Sequence, residues 1–304
     1  MIKITFGGIE TDGSKDITLD RTYNSSPTRS APSQFKVGTD NTNDAKLTDT
    51  DLGNSIPITG TESVDDCEVT TGWTDSADMT VSLNSTTFKE GTKSINLTKD
   101  GTSSTVASTS KTTTSLDFTS KEVSIWLFIK DSAALAKLAT TDSFILQSGS
   151  DLSNYYEWKL DNSELTAGQW NLIHKLTPSN ADSTVGTPVL GSMDFTLVKL
   201  TSTGTGITWS DGDFMMDDIK FVSSDDYFKA FESGSPIIDY TKHQVEMEGR
   251  LAPSEAVNYS IGEFGIYNSD GTPVLKSRDT LTRISKSSSD ELRFIGKTTV
   301  ISKE

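Results

Sequence analysis

Ile261-Gly262-Glu263-Phe264-Gly265-Ile266-Tyr267-Asn268-Ser269-Asp270-Gly271 is the stretch that decides the fold class. Gly262, Phe264 and Ile266 fall on one side of it and Ile261, Glu263, Gly265 and Tyr267 on the other, the two-residue period of a strand. The closing Asn-Ser-Asp-Gly tolerates the positive φ of a tight hairpin turn, so a return strand is expected over 280–285. Outward from this hairpin, strands are expected over 1–6, 35–37, 79–83, 94–98, 114–118, 123–129, 144–147, 155–160, 170–175, 195–200, 214–221, 242–251 and 291–302. The composition agrees: 43 Thr and 42 Ser among 304 residues oppose long helices, since Thr is stiff at χ1 and Ser competes for helical hydrogen bonds. Ser132-Ala133-Ala134-Leu135-Ala136-Lys137-Leu138 is the exception, read as a short helical connection. The fold class is all-β.

At 304 residues two domains are expected. Neither 1–60 nor 228–304 carries a convincing core alone, but together they reach a normal domain size. They are therefore read as one discontinuous β-sandwich, interrupted by a jelly-roll β-sandwich over 61–227 whose eight or nine strands are nearly regularly spaced. The insertion enters near Thr61 and leaves near Tyr227, a junction tolerated when the ends lie close together.

Charge and rare residues narrow the function. With 27 Lys and Arg against 43 Asp and Glu, the net charge of −16 disfavours nucleic acid as a partner. A single Cys67 excludes an intrachain disulfide, and His174 and His243 leave little for histidine-based metal or triad chemistry. No apolar run is long enough for a membrane span, and the N-terminal MIKITFGGIE does not read as a signal peptide. No G-x-S-x-G, P-loop or dinucleotide fingerprint occurs, and 43 acids make any carboxylate pair unspecific, so no enzymatic activity is expected. His174 is read as a satisfied, semi-buried histidine sharing a face with Leu172 and Leu176, and Asp211-Gly212-Asp213 as a turn.

Phe35-Lys36-Val37-Gly38-Thr39, the acidic Asp49-Thr50-Asp51-Leu52 and the Ile261–Gly271 hairpin together resemble the anchoring domain of tailed-phage tail-collar fibre proteins. Ile266-Tyr267 stands where that family has Leu-Phe, and the usual second glycine after Val37-Gly38 is replaced. Gly265 would allow close backbone approach, and Glu263 is expected to accept hydrogen bonds from backbone, Arg278 or Arg283. The resemblance implies a virion structural subunit, assembled in the host cytoplasm, with other virion proteins (tail, baseplate or capsid) as partners and a homo-oligomer, trimer favoured. The alternatives are a free carbohydrate-binding module and a purely architectural decoration protein without ligand.

Asp66-Cys67-Glu68, Gly72-Trp73, Lys89-Glu90-Gly91-Thr92-Lys93-Ser94-Ile95 and Met216-Asp217-Asp218-Ile219-Lys220-Phe221 resemble, in order and spacing, the carbohydrate-binding-module jelly rolls, with Cys67 replacing the usual Phe. Acidic groups and carbonyls brought together from both ends of such a domain suit a hard cation wanting six to eight oxygens. The resemblance suggests a structural Ca²⁺ held by the Asp66 carbonyl, Glu68, Glu90, the Lys93 carbonyl and Asp217. Binding of a cell-surface or environmental glycan needs exposed aromatic faces. Tyr156 and Trp158, on one face of their strand, are the first candidates, with Trp73 and Trp209; Tyr155 lies on the opposite face. Trp170 is read as a buried strand-start residue and Trp126 as core.

Overall fold

The computed structural model describes residues 2–6, 9–40, 43–58, 61–76, 78–101, 104–241, 244–257 and 259–299. His243 and Lys242 lie outside the described residues. The chain is all-β and divides into two compact units, one of residues 1–60 with 224–304 and one of residues 61–223. Among the described residues no helix is long and apolar enough to cross a membrane.

The first unit is a sandwich of two sheets. One runs in the order Ile2–Phe6, Leu292–Thr299, Gln244–Leu251, Ile237–Asp239, and its first pair is parallel. The other runs Lys229–Ala230, Pro32–Gly38, Ser260–Asn268, Leu275–Ser285, Ile9–Glu10, with Ser55–Ile56 also on Pro32–Gly38. Each sheet interleaves strands from both ends of the chain, which is the physical reason neither end shows a core of its own. Phe35 and Phe264 from one sheet and Phe294 from the other fill the space between them. Their centroids lie 5.3 Å apart for Phe35–Phe264 and 4.7 Å for Phe264–Phe294, and all three are fully buried.

One element departs from expectation. Asp12–Tyr23 is a helix, although its sequence has no repeating apolar stripe: among its described side chains only Ile17 is buried, while Leu19 and Tyr23 are exposed. Tertiary hydrogen bonds hold it. Asp12 N donates to Leu47 O (2.7 Å), and the Asp20 carboxylate accepts the N–H groups of Thr28 (2.8 Å) and Arg29 (2.7 Å).

The inserted unit is also a two-sheet sandwich. Sheet one runs Gln169–Leu176, Lys121–Ile129, Trp209–Ser223, Ser94–Lys99, Met79–Asn84, with Thr61–Asp65 on Trp209–Ser223. Sheet two runs Ser183–Val185, Asn154–Leu160, Phe144–Asp151, Met193–Thr201, Val106–Leu116, Trp73–Asp75. The core between them includes Ile95, Ile125, Leu127, Phe144, Leu146, Val198, Phe214 and Phe221. A short helix, Ser132–Leu135, connects strands as expected and is capped by the Asp131 carboxylate accepting from Ala134 N (2.8 Å).

Two strands show where apolar periodicity is silent. Residues 114–118 suggested a short strand, whereas the strand is Val106–Leu116, whose core face carries Ala107, Thr109 and Lys111 in place of large apolar groups. In Gln169–Leu176, a bulge with Lys175 at φ 61° turns both Ile173 and Leu176 toward the core, so Leu172 and Leu176 do not share a face as parity suggested.

Candidate ligand-binding face and cation cluster

Strand parity assigns the aromatic side chains. In Asn154–Leu160 the core side carries Tyr156, Trp158 and Leu160. Trp158 is 1% exposed, edge-on to Phe118 at 6.3 Å, and its Nε1 donates to Thr177 O (3.0 Å) and Asn180 Oδ1 (3.2 Å). Trp209 is 2% exposed, edge-on to Phe214 at 5.3 Å. Both were expected to offer faces to a ligand, and burial corrects that: a ring enclosed on both faces has no surface left for a sugar. Tyr156 and Trp73 are half-buried and pack against the same core, so their inner faces are also spent. Trp126 and Phe128 leave the core side of their strand, opposite Leu127. Trp126 is covered by Lys89, whose Nζ lies 4.4 Å from the ring centroid, and the half-buried Trp170 packs on Phe128 at 5.3 Å. Trp126 is therefore buried outside the inter-sheet core, and Trp170 is not the buried residue expected.

Sheet two presents its other face to solvent. Tyr155, Glu157 and Lys159 on one strand lie opposite Gly149, Gln147 and Ile145, and these opposite Phe195, Leu197 and Lys199. Gln147 is only 3% exposed although it faces outward, and Tyr155, Glu157, Lys159 and Lys199 around it are half-buried. Gln147 Nε2 donates to Glu157 Oε2 (2.5 Å) and Ser183 Oγ to Oε1 (3.4 Å). Lys199 Nζ lies 3.6 Å and Lys159 Nζ 3.8 Å from the same carboxylate, and Lys159 also pairs with Asp142 (3.0 Å). An aromatic ring thus adjoins a row of interlocked donors and acceptors, the chemistry that fits hydroxyl groups on an apolar ring. Parity placed Tyr155 apart from Tyr156 and Trp158 in sequence; which face meets solvent was decided by the sandwich.

The acidic residues expected to bind calcium do not come together as a set. Among the described residues no group of three or more His, Cys, Asp or Glu side chains is placed to hold a metal ion. Glu68 braces a loop instead: Oε1 accepts Thr92 N (2.6 Å) and Lys93 N (3.1 Å), and Oε2 the Thr92 hydroxyl (2.6 Å). Gly91, at φ 60°, is required there because a Cβ would collide with that carboxylate. The Asp66 side chain is exposed and accepts Glu68 N (3.2 Å). A narrower cluster remains. Asp217 is fully buried, its Oδ2 accepts Lys89 N (2.6 Å) and Glu90 N (3.0 Å), and its Oδ1 has no hydrogen-bond partner. Glu90 is pushed up to about 8 by burial and then by the charge of Asp218, and Asp217 to about 7 by burial. Asp218 pairs with Lys220.

Buried Cys67 is pushed well up by burial, which keeps the thiol protonated and unreactive. Burial likewise lowers His174 to about 4, so the imidazole is neutral at pH 7.

In the first unit the distant motif segments meet. Glu263, fully buried, accepts Gly53 N (2.9 Å), Asn54 N (2.7 Å) and Arg278 Nε (3.0 Å). Arg278 also reaches Asp49 (2.8 Å) and Asp40 (3.3 Å). Gly38 has no side chain because a Cβ would strike the Glu263 carboxylate and the Asn54 carbonyl. Asp51 accepts the Tyr267 hydroxyl (2.6 Å) and pairs with Lys36 (3.1 Å).

No family model and no curated protein sequence matches the chain. Among solved structures it is similar to a family 11 carbohydrate-binding module from Clostridium thermocellum in complex with a beta-1,3-1,4-mixed-linked tetrasaccharide. That match has 15% identity and TM-score 0.38 and covers 54% of this chain and 96% of that one. A carbohydrate-binding module from the beta-sandwich super family matches at 16% identity and TM-score 0.39, over 66% of this chain and 89% of that one. An exo-beta-agarase matches at 11% identity and TM-score 0.39, over 56% of this chain and 25% of that one.

Proposed function

We propose that the inserted unit binds an uncharged glycan on the outer face of sheet two, without turnover. The observation that carries this reading is half-buried Tyr155 on the outer face of sheet two, on the same strand face as the Glu157 network. The ring would stack on a sugar, while Gln147, Glu157 and Lys199 exchange hydrogen bonds with its hydroxyls. Lys159 and Lys199 against Glu157, Asp142 and Asp182, whose carboxylate accepts Lys159 N (2.7 Å), leave no surplus of positive charge for an anionic sugar. Glu157, held between Gln147 and the two lysines, suits holding a hydroxyl better than delivering a proton. A polysaccharide panel followed by titration calorimetry tests it. Tyr155→Ala is expected to weaken binding at least about tenfold, or about 1.4 kcal/mol, with the melting temperature unchanged. Absence of binding to every glycan, or equal affinity in the variant, would remove this reading.

Calcium is proposed as a structural partner of this unit, drawn to Asp217 and Glu90 with carbonyls and water completing its oxygen shell. Support comes from the partnerless oxygen on buried Asp217, since a buried carboxylate oxygen without a donor calls for a cation.

For the first unit we propose an anchoring role in a tailed-virus particle, in a homo-oligomer, trimer favoured, assembled in the host cytoplasm. Glu263, packed on Gly38, and Asp49 meet at Arg278, while Asp51 meets Tyr267 and Lys36; this supports it, because these are positions on which the tail-collar resemblance rests. Solution mass of the purified chain is expected to be a multiple of 32.9 kDa. A monomer at working concentration, absent from particles, would favour a free carbohydrate-binding protein.

A further inference from the structure

Lys111 occupies an unusual place: the core-facing side of Val106–Leu116, between the sheets of the inserted unit, opposite Trp73 in the register. Its Nζ lies against Asp65 Oδ2, and Asp65 ends the strand Thr61–Asp65 in the other sheet. The side chains are 17% and 1% exposed. The two carboxylate oxygens differ. Oδ1 accepts the N–H of Cys67 (2.6 Å), whereas Oδ2 lies against the Lys111 amine. The Trp73 ring, with its centroid 5.9 Å from Nζ, helps to exclude water.

We propose that Lys111 and Asp65 condense into an intramolecular isopeptide bond that cross-links the two sheets of the inserted unit. An ion pair taken out of water relieves its desolvation cost by passing a proton from ammonium to carboxylate, leaving an amine and a carboxylic acid. Burial, which lowers the affinity of Lys111 for its proton, acts in the same direction. The Nζ lone pair then attacks Asp65 Cγ, and the carbonyl electron pair moves onto Oδ1, where the Cys67 N–H stabilises the developing charge. One amine proton passes to the Oδ2 hydroxyl, which leaves as water; the carbonyl re-forms and one N–H remains on the amide. The three protons of the ammonium are thereby accounted for, two in water and one in the amide. No oxidant or co-reactant enters, and burial of the Asp65 carboxyl, 1% exposed, favours condensation over hydrolysis.

The test is the mass of the purified full chain, measured under denaturing conditions, with a tryptic map. The expected mass is that of the sequence less one water, with no cleavage after Lys111 and with the Asp65 and Lys111 peptides recovered as one branched species. Lys111→Met is expected to return to its full sequence mass. An aspartyl succinimide also loses one water, and Asp12-Gly13, Asp100-Gly101, Asp211-Gly212 and Asp270-Gly271 could each form one. A deficit that persists in Lys111→Met would therefore overturn the proposal, as would a full-mass native chain cleaved normally after Lys111. Both measurements are made on unfolded material, so the outcome does not depend on whether the variant folds.

Discussion

Arg278→Met is expected to unfold the first unit, or to leave it melting far below the parent protein, by about 3–5 kcal/mol. The guanidinium meets Glu263 (2.9 Å), Asp49 (2.8 Å) and Asp40 (3.3 Å), and its side chain is 5% exposed. Methionine fills similar volume but takes the guanidinium away from the fully buried Glu263, which keeps the Gly53 and Asn54 amides. The loss should reach the whole unit, because Glu263 ties strand Ser260–Asn268 to the 53–54 backbone and Arg278 ties the paired strand to Asp49. Glu263→Gln separates charge from shape: it keeps an acceptor for one N–H but not for the guanidinium, and should cost less than Arg278→Met. Denaturant unfolding of both variants checks this. A parental midpoint for Arg278→Met would show that the cluster contributes nothing net.

The second large effect is that of calcium and pH on the inserted unit. A carboxyl whose pKa is raised on folding holds its proton in the folded state after the unfolded chain has released it, so stability falls as pH rises between the two values. Glu90 moves from 4.5 to about 8 and Asp217 from 3.8 to about 7. His174 acts oppositely: it moves from 6.5 to about 4, so its contribution improves with pH over that interval. Above pH 6.5 the histidine is neutral in both states, and from there to pH 8 the metal-free protein is expected to lose stability. Calcium binds the ionised carboxylates, so it should flatten this slope. At a hundred times its dissociation constant it should add about 2.7 kcal/mol. Thermal melts in calcium and in chelator, at pH 6.5 and pH 8, read both effects. Identical curves with and without calcium at pH 8 would remove the cation from this cluster, and a metal-free stability that rises over the same interval would contradict the burial of its carboxyls.

Much of the chain was legible because strands announce themselves by alternation. The stretches 123–129, 144–147, 195–200 and 214–221 each fall inside a strand of the inserted unit. Asp12–Tyr23 was not legible, since a helix held by Leu47 O and by the Thr28 and Arg29 amides needs no apolar stripe. Val106–Leu116 was read only in its last residues, because Thr and Ser form a strand without marking which side is buried.

The candidate site divides along the same line. Alternation by itself determined that Tyr155 stands apart from Tyr156 and Trp158; a hairpin does follow Ser260–Asn268, but its loop runs over 269–274 with no positive φ at Asn268, Ser269, Asp270 or Gly271, so the expected tight turn is not the one formed. Only the tertiary structure decided which side of each strand meets the opposing sheet, and so that Trp158 and Trp209 are core while Tyr155 faces solvent. It alone brought Arg278 to Asp49 and Lys111 to Asp65, and turned Glu68 to the loop 92–93 in place of a metal. The physical reason is that a strand's two-residue period fixes relative sides from local sterics, whereas the choice between core and solvent, and every long-range ion pair, depends on which other strands fold against it.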